Sequence, residues 1–138
     1  MTPLSLKRIT RDLKNYTFVI NENNIVNVQY KNYQVSFFLN EDYPFKPPFL
    51  YLDNKLLNYK YNYFPQRIFK LYIDNGHECP CCTNISCHGR WSPVFNVLNI
   101  VDEYNLIKTN MVRSYKKHIT SFIKNLPDDV LGIIKEYI

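Results

Sequence analysis

The chain has 138 residues, 46% of them hydrophobic and 16% aromatic, with a formal net charge of +5. That mixture can bury one sizeable core, so it excludes a disordered or low-complexity chain and predicts a single domain over residues 1–138. No stretch is apolar for the length a bilayer span requires, and Met1-Thr2-Pro3-Leu4-Ser5-Leu6-Lys7-Arg8 lacks the apolar run of a signal peptide, so no membrane partner is expected.

These features predict a cytoplasmic or nuclear protein, where four cysteines read as free thiols or metal ligands instead of a disulfide framework. The basic residues are scattered among Tyr and Asn with no single block, and no nucleic-acid partner is expected.

In chain order, Leu6, Ile9, Leu13 and Tyr16 recur at helical spacing while Lys7, Arg8, Arg11 and Lys14 fall largely off that stripe. An amphipathic first helix with a basic face is predicted, started by Thr2 before Pro3 or by Ser5 as a later cap. From Thr17 to Leu52 the period becomes two: Phe18 and Ile20, then Val26, Val28 and Tyr30, then Tyr33, Val35, Phe37 and Leu39, then Phe49 and Tyr51. The breaks Glu22-Asn23-Asn24 and Lys31-Asn32 are short enough for hairpins, which predicts a four-stranded antiparallel meander.

After Pro93 the helical period returns with Val94, Val97, Leu98, Val101 and Tyr104, with Ser92 as the expected cap. Met111, Tyr115, Ile119 and Phe122 suggest another helix, and Val130, Leu131, Ile134 and Tyr137 a last short one. Together these elements predict an α+β domain whose helices are segregated from one antiparallel sheet.

Residues 77 to 93 hold all four cysteines, two of the three histidines and the only tryptophan. Such a cluster offers nucleophiles or a metal site. Cys79-x-x-Cys82 has the spacing of a zinc half-site, which Cys87 with His88 or His77, or Cys81, would complete within a dozen residues.

Tyr43-Pro-Phe-Lys-Pro-Pro48 closing a strand, followed in order by Trp91-Ser-Pro93 opening a helix, resembles the ubiquitin-conjugating enzymes. The resemblance covers about residues 4 to 104. It includes Leu6-Lys7-Arg8-Ile9 with Asp12-Leu13, similar to the family's first helix, whose basic face meets the activating enzyme. Val35-Ser36-Phe37-Phe38-Leu39 is similar to its third strand.

The resemblance implies a UBC-like fold and a transferase that carries ubiquitin or a ubiquitin-like modifier as a cysteine thioester, with an activating enzyme and a ligase as partners. No cofactor is required for that chemistry.

The family's His-Pro-Asn sequence has its nearest counterpart in Phe64-Pro65-Gln66, so Gln66 is the expected oxyanion donor, with Asn84 as an alternative. The family's cysteine lies eight residues before its tryptophan, a position that here is Thr83. Cys82-Thr83-Asn84-Ile85 looks like the family's Cys-Leu-Asp-Ile with one residue inserted before Trp91, and Asn75-Gly76-His77-Glu78-Cys79 looks like its Asn-Gly-x-x-Cys. Cys82 is the preferred nucleophile, because the segment to the tryptophan is short and geometrically tied, and Cys79 is the second candidate. A neighbouring His88, Arg90 or His77 would promote the thiolate.

The alternative gives Cys79, Cys82, Cys87 and His88 to zinc. The protein is then a catalytically inactive variant that binds ubiquitin or another partner. Leu126-Pro127-Asp128-Asp129-Val130-Leu131 is similar to the start of an F-box, with a dipole-favoured helix start as the simpler explanation.

Overall fold

The computed structural model describes residues 3–59, 64–87 and 89–123. A first helix, α1 (Pro3–Asp12), precedes β1 (Phe18–Ile20), β2 (Ile25–Tyr30), β3 (Tyr33–Phe38), β4 (Leu50–Leu52) and β5 (Lys55–Leu56). Then come α2 (Gln66–Asp74), α3 (Pro80–Thr83) and α4 (Val97–Ile123). The sheet runs β1-β2-β3-β4-β5, every neighbouring pair antiparallel. The chain is therefore α+β with one antiparallel meander, and the meander has five strands instead of four.

The extra strand has a local cause. Asp53 and Asn54 both adopt positive φ, 51° and 67°, as a two-residue hairpin with the sheet's own twist requires, and they fold Lys55–Leu56 back onto Tyr51–Leu52. Between β2 and β3 the turn is again two residues, with Lys31 at φ 51°. The longer turn before β2 is held by the Asn21 side chain, whose Oδ1 accepts from the backbone N–H groups of Asn23 and Ile25, each at 2.9 Å.

Alternation decides which face is buried. Val26, Val28, Val35, Phe37, Leu50 and Leu52 share one face and are essentially inaccessible, joined in one core by Ile9 of α1, by Leu13 just after it, and by Val97, Val101, Tyr104 and Met111 of α4. The phase expected for β4 is corrected here. Phe49 and Tyr51 point outward, and the inward pair is Leu50 and Leu52. At the turn end of the β2–β3 hairpin, Tyr30 donates to Asp102 Oδ1 at 2.7 Å and Tyr33 to Asn105 Oδ1 at 3.1 Å, fastening the sheet to α4.

The helices also depart from expectation. The two helices predicted over 94–104 and 111–122 are one element of 27 residues. It begins later than Ser92, because Asn96 and Asn99 cap it reciprocally: Asn96 Oδ1 accepts from Asn99 N at 3.1 Å, and Asn99 Oδ1 from Asn96 N at 2.8 Å. Ser5 is not a cap but sits inside α1, buried, donating to the carbonyls of Tyr43 and Glu41. The Thr2 cap, the last helix and the F-box-like segment lie outside the described residues.

Candidate functional site

The cysteine loop starts where α2 is stopped. Asn75 and Gly76 donate to the carbonyls of Leu71 and Ile73, and Gly76 has φ +90°, a conformation a side chain would resist. The chain then doubles back so that the His77 ring lies parallel to Tyr72 at a centroid distance of 4.3 Å. Burial, followed by electrostatic repulsion from the neighbouring Cys79 and Glu103, pushes the Tyr72 hydroxyl above its ordinary value.

From Cys79 the loop makes one short turn of helix. Cys79 is extended (φ −62°, ψ 120°) and Pro80 occupies the first helical position, where its fixed φ suits the turn. Three consecutive carbonyls are then tied from downstream. Thr83 Oγ1 donates to Cys79 O at 3.1 Å, and Asn84 Nδ2 donates to Pro80 O at 2.6 Å and to Cys81 O at 3.2 Å. Asn84 is buried, and its own Oδ1 accepts from Ser86 Oγ at 2.9 Å. Its amide is thus engaged in holding the loop.

The loop is anchored to α4 by a carboxylate. Both oxygens of Glu103 accept from Ile85 N, at 3.0 and 3.1 Å. Burial pushes the Glu103 carboxyl above its ordinary value, partly offset by that N–H and by the charge of Arg90. A carboxyl whose folded pKa exceeds its unfolded one binds its proton more tightly when folded, so its contribution to stability is fullest in acid and is lost as pH rises through the folded value.

Glu103→Gln keeps an acceptor for Ile85 N and cannot ionise. Its melting temperature relative to the native chain is expected to climb as the pH is raised from the ordinary carboxylate range upward. Circular dichroism melts across that range check this, and a constant difference would refute it.

The sulfurs are arranged as follows. Cys79 and Cys81 Sγ lie 2.8 Å apart, both half-buried, with Cys81 packed against the core. Cys87 is half-buried further along, its N–H donating to Asn84 O at 3.1 Å. The backbone of Cys82 belongs to α3, while its side chain and all of His88 lie outside the described residues. Gln66, the expected oxyanion donor, is exposed at the first position of α2. Among the described residues no three His, Cys, Asp or Glu side chains are placed to hold a metal ion.

A second set of contacts brings the two quoted motifs together. The Tyr43–Pro44 peptide is cis, and Trp91 Nε1 donates to Pro44 O at 2.8 Å. On the other side of this junction Asp12 accepts from Arg8 Nε at 2.9 Å and from the Tyr43 hydroxyl at 2.6 Å, while Arg8 Nη2 donates to Phe95 O at 2.9 Å. Arg8 is thereby withdrawn from the basic face of α1, which leaves Lys7, Arg11 and Lys14 exposed. Sequence reasoning missed Glu103 and Asn84 as the anchors of the loop, and no periodicity marks either.

Among the described residues no helix is long and apolar enough to cross a membrane. Comparison of the chain with protein-family models, with curated proteins and with solved structures returns no match.

Proposed function

We propose that this chain is a divergent member of the ubiquitin-conjugating group with a UBC-like fold, carrying ubiquitin or a ubiquitin-like modifier as a thioester on Cys82. The observation that carries the reading is the 2.8 Å bond from Trp91 Nε1 to Pro44 O. It joins the two motifs on which the resemblance rests, although 47 residues separate them in sequence. A helix followed by an antiparallel meander, in that order, supports it further. Gln66 supplies the amide that steadies the developing oxyanion, and Lys7, Arg11 and Lys14 present positive charge to an activating enzyme.

Incubation with activating enzyme, ATP and ubiquitin is expected to give an adduct on a non-reducing gel that disappears with added thiol. Cys82→Ser abolishes it and Cys79→Ser retains it. No adduct, where a control enzyme charges, would overturn the transferase reading.

A second reading is a non-enzymatic partner-binding module. What favours it is the outer face of the sheet, where Phe38, Phe49 and Tyr51 are 54%, 80% and 43% exposed, more aromatic surface than solvation alone accounts for. In that reading zinc is held by Cys79, Cys82, Cys87 and His88 and stabilises the loop. One equivalent of zinc by mass spectrometry, lost on Cys79→Ser and Cys87→Ser, would select it.

A further inference from the structure

We propose that Cys79 and Cys81 form an oxidisable dithiol, which closes into an intrachain disulfide when a hydroperoxide reaches the loop. The two sulfurs are 2.8 Å apart. Even carbon atoms in non-bonded contact keep about 3.5–4.0 Å, and a disulfide bond is about 2.05 Å, so closure needs a shift of less than about 1 Å.

The backbone beneath the pair is already arranged for this. The carbonyls of Cys79, Pro80 and Cys81 are each tied by the side chain of Thr83 or Asn84, and Asn84 is buried. Pro80 between the two cysteines fixes one torsion more. The thiols therefore meet with little ordering left to do, which is the condition under which an intramolecular reaction outruns an intermolecular one. Cys79 and Cys81 are only half-buried, so a small peroxide can reach them.

The chemistry balances in two steps. Cys79 sulfur, having given its proton to solvent, attacks one peroxide oxygen. The O–O bond breaks, a sulfenic acid forms, and the departing hydroxide takes up a proton as water. Cys81 sulfur then attacks the sulfenic sulfur, the S–S bond forms, the S–O bond breaks, and a second water leaves with the proton of Cys81. Two thiols are oxidised by two electrons and hydrogen peroxide is reduced to two waters. Cys79 reacts first because Cys81 is packed against the core.

The test treats the reduced full-length chain with hydrogen peroxide, blocks remaining thiols with iodoacetamide and measures mass. Loss of two hydrogens, protection of two of the four thiols, and fragment ions placing the bridge between residues 79 and 81 are expected. Cys82→Ser/Cys87→Ser should lose the same two hydrogens. Cys81→Ser should give no bridge and leave a sulfenic acid on Cys79 that dimedone captures. A bridge to Cys82 or Cys87, a link between two chains, or four alkylated thiols after treatment would overturn the proposal. The readout needs no activating enzyme, so it stands or fails independently of thioester formation.

Discussion

Asp12→Ala is expected to destabilise the fold by about 3–5 kcal/mol, the cost of stripping one partner from a buried charge pair. The Asp12 side chain is 4% exposed and that of Arg8 11%. Its carboxylate accepts from Arg8 Nε at 2.9 and 3.0 Å and from the Tyr43 hydroxyl at 2.6 Å, and Tyr43 is itself 1% exposed. Alanine leaves the guanidinium in a place water barely reaches and the Tyr43 hydroxyl without its acceptor.

For a chain of this length that corresponds to a fall in melting temperature of roughly 10 °C or more. Urea unfolding measures it. The cause can be separated from lost volume with Arg8→Met/Asp12→Leu, which removes both charges and should cost less than Asp12→Ala alone. A double variant as unstable as the sum of its parts would show that packing, not the unpaired charge, sets the loss.

The fold was legible wherever the two faces of an element differ in chemistry. β2 and β3 alternate Val26, Val28, Val35 and Phe37 with Asn27, Gln29, Gln34 and Ser36, so the buried set reads directly from the chain. β4 with the residue before it, Phe49-Leu50-Tyr51-Leu52, is apolar on both faces, and alternation alone does not say which set turns inward. The core chose the leucines and left the aromatic rings outside. α2 carries a readable stripe, Ile68, Phe69, Tyr72 and Ile73, although no helix was expected there. The polar run Lys108-Thr109-Asn110 stands between the two apolar stripes that were expected to form separate helices. It lies on the exposed side of a single helix, whose buried side continues through Ile107 and Met111.

The site was less legible than the fold for a different reason. Cysteine spacing names the residues that can act, but which sulfurs meet depends on side-chain direction around one short turn. Pro80, Thr83 and Asn84 set that direction, and the cysteine spacing does not specify how they do so. Glu103 was hidden similarly: it adjoins Tyr104 on α4, and only the fold shows that it meets the N–H of Ile85.

Trp91→Ala carries the other large expected loss, about 2–4 kcal/mol, at the lower end of the range for aromatic truncation because the ring is only partly buried. Two contributions combine. The indole packs against the core and tilts against Phe95 at 5.8 Å, and its N–H satisfies Pro44 O at 2.8 Å, a carbonyl in a turn whose residues Tyr43 and Pro44 are both buried. Trp91→Phe retains most of the packing and removes the donor, so it should cost about 1–2 kcal/mol, the penalty for an orphaned buried acceptor. Thermal unfolding of the pair separates the contributions. Equal losses for the two variants would assign the whole effect to the hydrogen bond, and no loss for Trp91→Phe would assign it to packing. Trp91 also follows the cysteine loop directly, and Arg90 N donates to Cys87 O at 3.0 Å just before it. A turn freed at Pro44 therefore loosens the downstream end of the segment that holds Cys79 and Cys81, and Trp91→Phe should slow the closing of their disulfide as well as lower the melting temperature.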